Sequence, residues 1–174
     1  MNVLKEIEGR EEPVVNICPD ETEGLIVEVG DLSIQLPKAP AKNKILFHNL
    51  KKEEQYWRRQ ELPSDLAIIS SMDEWSQTPD EFRKKYQSYI KTEYERRRNG
   101  VWFYNNGEPT YITGHHYFFL QWSKIDVGYP SFLRFQQQLF IHMEACFRDP
   151  RCLGQVYTKC RRSGYTQMSS SLLS

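Results

Sequence analysis

Leu153-Gly154-Gln155-Val156-Tyr157-Thr158-Lys159-Cys160-Arg161-Arg162-Ser163-Gly164-Tyr165-Thr166-Gln167-Met168 is the stretch on which the reading of this chain turns. Gln155 to Thr158 forms a short β-like run. Lys159 to Gly164 is a polar, basic turn containing glycine, and Tyr165 to Leu173 has the makings of a first few helical turns. A strand, a tight loop and a helix in that order bring backbone N–H groups at the helix start toward one point. The helix dipole adds to their attraction for an anion.

The usual frame for such a loop is G-x-x-x-x-G-K-[ST]. Here it reads Lys159-x-x-x-x-Gly164-Tyr165-Thr166, with the second glycine and the hydroxyl in register. The lysine occupies the place of the first glycine, and tyrosine stands where lysine belongs. The chemistry survives that exchange on paper. Gly164 gives the loop its permissive backbone. Thr166 offers a hydroxyl for Mg²⁺. Lys159 at the loop entrance can fold back over phosphates, assisted by Arg161 or Arg162 as bidentate donors. The bland alternative is a strand–turn–helix with surface cations.

Outward from this segment, the chain gives other signals. Thr78, Pro79 and Glu81 read as N-cap, first-turn proline and capping box of a helix over 79–99, with Phe82, Tyr86 and Ile90 on one face. Arg96-Arg97-Arg98 suit its last turn and Gly100 its end, so the triple arginine needs no DNA to explain it. Val101–Tyr104 and Thr110–Ile112 flank Asn105-Asn106-Gly107 as a hairpin. Phe132, Phe135, Leu139, Met143 and Cys146 keep helical spacing over 131–147, ended by Asp149-Pro150. A shorter helix is expected over 51–61 around Tyr56 and Trp57. Strands are expected at 13–17, 25–29 and 32–36, then a linker at Pro37-Lys38-Ala39-Pro40, after a loose, charged first dozen residues.

Charge divides unevenly. Lys+Arg and Asp+Glu are 23 each, yet residues 1–80 carry a net −7 and residues 81–174 a net +7. The basic half is the better candidate for phosphate or nucleic acid. The four cysteines, Cys18, Cys146, Cys152 and Cys160, form no CxxC pair and match no zinc spacing. With an acidic opening unlike a signal peptide and no bilayer-length apolar run, the expectation is a cytosolic protein with reduced thiols and no membrane partner. His115-His116 are adjacent and poorly placed to share a metal. Leu66 to Met72 followed by Asp73-Glu74 imitates a strand ending in paired carboxylates, but precedes the loop and is read as a short apolar element before a helix.

Two segments carry a resemblance. Lys159, Arg162, Gly164, Tyr165 and Thr166 are similar to the variant phosphate loop of large terminase subunits, the DNA-packaging ATPases of tailed double-stranded DNA phages. Tyr111-Ile112-Thr113-Gly114-His115-His116-Tyr117-Phe118-Phe119-Leu120-Gln121-Trp122, with Lys124-Ile125-Asp126 and Gly128-Tyr129-Pro130, resembles the segment before the ATPase core in terminases of crAss-like phages. The likeness spans residues 100–170 and not residues 1–80.

The resemblance implies an α/β fold: a truncated P-loop (ASCE-type) NTPase core starting in 101–174, after a mixed α+β N-terminal extension over 1–100. It implies ATP and Mg²⁺ as cofactors. Lys159 and Arg162 would stabilise the phosphates, Arg161, Ser163, Gly164 and Tyr165 would shape or line the loop, and Thr166 would hold Mg²⁺. Gln136 or Gln137 would contact adenine, with Tyr129 or Phe132 for stacking; a helix with exposed glutamines is the competing reading. The implied partners are double-stranded DNA, the portal protein, the small terminase subunit and further copies in a ring, at the procapsid portal in the host bacterial cytoplasm. The acidic strand and nuclease carboxylates of that family do not follow the loop. The expectation is therefore an N-terminal piece with poor ATP turnover of its own. A small DNA- or portal-binding adaptor without ATPase activity, and another P-loop motor such as a helicase, stand as alternatives.

Overall fold

The computed structural model describes residues 5–7, 10–12, 16–20, 24–29, 32–69, 72–125, 128–155 and 164–172. The fold is mixed helix and strand. Strands β1 (Lys5–Ile7) and β2 (Arg10–Glu12) pair antiparallel, so part of the first dozen residues is ordered as a ribbon where a loose stretch was expected. Strands β3 (Asn16–Asp20), β4 (Gly24–Val29) and β5 (Leu32–Pro37) form an antiparallel sheet in that order. Residues 13–15 of the expected first strand lie outside the described residues.

The expected helix over 51–61 is a correction. A 3-10 turn spans Lys52–Glu54 and the chain then runs without regular structure to Pro63. Tertiary bonds outweigh helical propensity here. The Gln55 amide nitrogen donates to the Leu50 carbonyl at 2.9 Å, while its amide oxygen accepts from Gly107 N–H at 3.1 Å. Five residues on, Gln60 N–H donates to the Gln121 side-chain oxygen at 2.9 Å and the Gln121 amide returns a bond to the Gln60 carbonyl at 2.7 Å. These bonds use backbone groups that a helix would need for itself.

Helices α1 (Ser64–Ala67) and α2 (Met72–Gln77) are short. Helix α3 (Asp80–Asn99) starts one residue later than expected, with Pro79 at the N-cap. Thr78 does not cap it: its hydroxyl donates to the Trp75 carbonyl at 2.7 Å, closing α2 instead. At the other end Gly100 N–H reaches the Arg96 carbonyl, as a C-cap should. The hairpin β6 (Val101–Asn105) and β7 (Glu108–Ile112) turns at Asn106 (φ 51) and Gly107 (φ 87), the left-handed pair of a type I′ turn. Leu46 extends this ribbon on the β6 side, with its N–H bonded to the Trp102 carbonyl and its carbonyl to Tyr104 N–H.

Helix α4 (Gly114–Trp122) follows, with the Thr113 hydroxyl accepting from His116 N–H. Helix α4 shows no helical period in its residues because it is buried nearly all round: His116, Tyr117, Phe119, Leu120 and Gln121 are all inside. Helix α5 (Arg134–Arg148) and helix α6 (Tyr165–Ser171) are the last two elements among the described residues. One apolar core draws on Trp57, Phe103, Ile112, Tyr117, Leu120, Phe140, Met143 and Met168, and so crosses residue 100 in both directions. A second, smaller cluster joins Ile34 and Leu36 of β5 to Tyr111, Ile141 and Ala145, seating β5 on α5.

Gly114 marks the closest approach of α3 and α4. A Cβ there would lie 1.9 Å from the Arg97 carbonyl oxygen. The same joint holds a buried polar contact. The Tyr117 hydroxyl donates to one Glu93 carboxylate oxygen at 2.6 Å, and Arg96 donates to the other at 2.7 Å.

Candidate functional site

Helix α6 is positioned by one face. Tyr165, Met168 and Leu172 fall at i, i+3 and i+7 and pack on the main core, Met168 being 1% exposed. The opposite side presents Thr166, Gln167 and Ser170 to solvent. Within the helix, Ser170 donates to the Thr166 carbonyl at 2.9 Å and Ser171 to the Met168 carbonyl at 2.7 Å.

Gly164 launches the helix from the left-handed region (φ 74, ψ 5). A Cβ there would have open space, its nearest neighbour being Gln167 Oε1 at 3.9 Å. The backbone angle, and not crowding, is what favours glycine. Its carbonyl accepts from Gln167 N–H at 3.1 Å and Met168 N–H at 3.2 Å, so the helix is formed from its first turn. Of the loop residues assigned from sequence, Gly164, Tyr165 and Thr166 are therefore placed at a helix start. Lys159, Arg161, Arg162 and Ser163 lie outside the described residues, as does the expected strand from Val156 to Thr158.

A cleft of about 510 Å³ lies along the exposed side of α6. Thr166, Gln167 and Ser170 line one wall; Phe118 and Trp122 of α4, then Ser123 and Lys124, line the other. Ser123 and Lys124 stand more than forty positions from Thr166 in sequence. No local pattern marks them as its neighbours, and sequence reading did not single them out for the site. The exposed Lys124 adds a cation to this wall.

The residues assigned to adenine contact sit elsewhere, on α5. Gln136 and Gln137 are buried, at 6% and 5% exposure, where exposed glutamines were the competing reading. Gln137 donates its amide to the Tyr111 carbonyl, tying α5 to β7. The side-chain oxygens of both glutamines are buried without a hydrogen-bond partner among the described residues. The Phe132 ring packs on Phe103 and His116. Tyr129 lies under the Arg59 guanidinium, 4.0 Å from its ring centre. Both aromatic rings thus already have partners.

His116 is wholly buried, with its ring stacked 4.6 Å from Phe140 and both nitrogens without a hydrogen-bond partner among the described residues. Burial alone pushes its pKa down to about 3, so it is neutral at ordinary pH. His115, one residue away, is exposed and bonds Glu144 at 2.9 Å.

Among the described residues no group of three or more His, Cys, Asp or Glu is arranged to hold a metal ion. No helix among the described residues is long and apolar enough to cross a membrane. No protein-family model matches the chain, and neither a curated protein nor a solved structure matches it.

Proposed function

We propose that this chain is the nucleotide-binding N-terminal part of a viral DNA-packaging motor of the large terminase kind, which hydrolyses ATP to move double-stranded DNA into a procapsid. The observation that carries the reading is the start of α6. Gly164 takes the left-handed conformation, a helix follows at once, and Thr166 stands exposed on its first turn beside a cleft. That is the local geometry the phosphate-loop frame requires of its second glycine and its hydroxyl. The resemblance of Lys159–Thr166 and Tyr111–Pro130 to terminases supplies the rest.

In this reading the cleft along α6 takes the phosphates. Lys159 and Arg162 stabilise their charge, Arg161 and Ser163 line the loop, and Thr166 holds Mg²⁺. A Mg²⁺ held there would supply charge neutralisation to the phosphates, with the Thr166 hydroxyl as the residue that would hold it. Lys124, on the far wall, adds a further cation to the same space. Gln136 and Gln137, which the resemblance would put against adenine, line no wall of this cleft and bury their side-chain oxygens, so this reading gives them no adenine contact. Double-stranded DNA, the portal, the small terminase subunit and ring neighbours are the partners this function requires.

The test is Mg²⁺-dependent binding of a fluorescent ATP analogue to the chain and to its Lys159→Ala and Thr166→Ala variants. Binding is expected to need Mg²⁺ and to weaken at least about tenfold in each variant. A folded sample that shows no Mg²⁺-dependent binding, or binds equally well in both variants, would move the assignment to a binding module that lacks nucleotide chemistry.

A further inference from the structure

A second pocket, of about 210 Å³, opens between the segment leading into α1, helix α3 and the end of α4. Leu62, Leu66 and Ile90 give it an apolar wall. The other wall is made of hydrogen-bond donors that lack an acceptor. The Tyr89 hydroxyl, the Arg97 Nε–H and the Trp122 indole N–H are each buried without a partner among the described residues. Three such donors at one pocket are unusual, because a buried polar group left unpaired costs about 1–3 kcal/mol.

Arg97 is the centre of this arrangement. It is half-buried, and its guanidinium lies 5.0 Å from the Phe118 ring centre and 4.6 Å from that of Trp122. Cation–π contact with these rings leaves the guanidinium N–H groups to take an acceptor. No carboxylate among the described residues forms an ion pair with it. Glu93, on the same pocket, is taken by Arg96 and Tyr117. One positive charge is therefore left over beside an apolar wall.

We propose that this pocket binds a small monocarboxylate carrying a ring-sized apolar body. The carboxylate meets the Arg97 guanidinium edge, with the Tyr89 hydroxyl and Trp122 indole N–H as supporting donors. The apolar body lies on Leu62, Leu66 and Ile90. One carboxylate balances the one uncompensated charge, and the volume falls below the 300–1,000 Å³ common for larger ligands. The pocket is distinct from the cleft along α6, although Trp122 contributes to a wall of each.

Phenylacetate and its neutral counterpart phenylacetamide separate the charge requirement from the apolar one. Titration would be followed through the Trp122 indole N–H resonance in two-dimensional NMR, assigned with Trp122→Phe. Phenylacetate is expected to move that resonance saturably, and phenylacetamide to bind at least about tenfold more weakly. Arg97→Gln should weaken the acid at least about tenfold and Tyr89→Phe by about threefold. Leu66→Trp, which fills the pocket, should abolish binding even if Arg97→Gln does not fold. Thr166→Ala should leave it unchanged, so failure here and failure of the nucleotide site are distinguishable. An indole resonance that does not move, equal affinity for acid and amide, or full binding in Leu66→Trp would overturn the proposal.

Discussion

At the α3–α4 joint, chemistry is used to fix position; at the start of α6, position is used to present chemistry. Glu93 enters the joint 6% exposed, with both carboxylate oxygens engaged by Tyr117 and Arg96. Gly114 lets α4 approach α3 to within a distance no other side chain allows. Helix α6 is anchored by one apolar face and leaves Thr166, Gln167 and Ser170 exposed. The difference teaches that the groups most burdened with interior contacts are not those available to a ligand. The proposed nucleotide site accordingly uses the less encumbered helix.

The largest effect should come from the joint. Glu93→Ala removes one partner of a buried ionic contact and strands Arg96 and the Tyr117 hydroxyl, so a loss of about 3–5 kcal/mol is expected. Tyr117→Phe removes one hydrogen bond and should cost about 1–2 kcal/mol. Urea denaturation of both variants measures the ratio. If the two cost the same, the joint is held by packing and the contrast with α6 dissolves.

His116 gives a smaller effect with a definite pH window. Its folded pKa of about 3 lies below the ordinary value of 6.5, so between these limits the unfolded chain binds more protons. Stability must therefore fall as pH falls from 6.5 toward 3, and is fully retained above 6.5. Between pH 7.5 and pH 5 the loss is about 2 kcal/mol. His142 is shifted down by burial in the same sense, so the wild-type slope is shared. His116→Phe isolates its own part. The variant should lose most of the acid sensitivity in this window, and an unchanged slope would show that the imidazole is hydrated rather than sealed between Phe132 and Phe140.

What was legible in the sequence follows the same division. Helices α3 and α5 were visible because their apolar residues repeat on one face, and the β6–β7 turn because Asn106-Gly107 tolerates two left-handed residues. Helix α4 was not, since burial on all sides erases the period. The irregular run from Gln55 to Pro63 was not either, because it is held by side-chain bonds to Gly107 and Gln121, far away in sequence. At the candidate site the helix start expected at Tyr165 agrees with α6, since the left-handed Gly164 sets it locally. Ser123 and Lys124 came to the same cleft through the packing of α4 against α6, and no motif spacing encodes that.

The smallest expected change in stability is also the sharpest test of the contrast. Thr166 is exposed on α6, and its side chain takes no part in the packing of Tyr165, Met168 and Leu172. Thr166→Ala should therefore shift the unfolding free energy by less than about 0.5 kcal/mol. Met168→Ala, one turn along on the buried side, should cost about 2–5 kcal/mol. If α6 separates scaffold from chemistry, Thr166→Ala lowers Mg²⁺-dependent nucleotide affinity without lowering the melting temperature. A Thr166→Ala variant that is measurably destabilised would place its hydroxyl in the scaffold and remove it from the set of residues free to serve Mg²⁺.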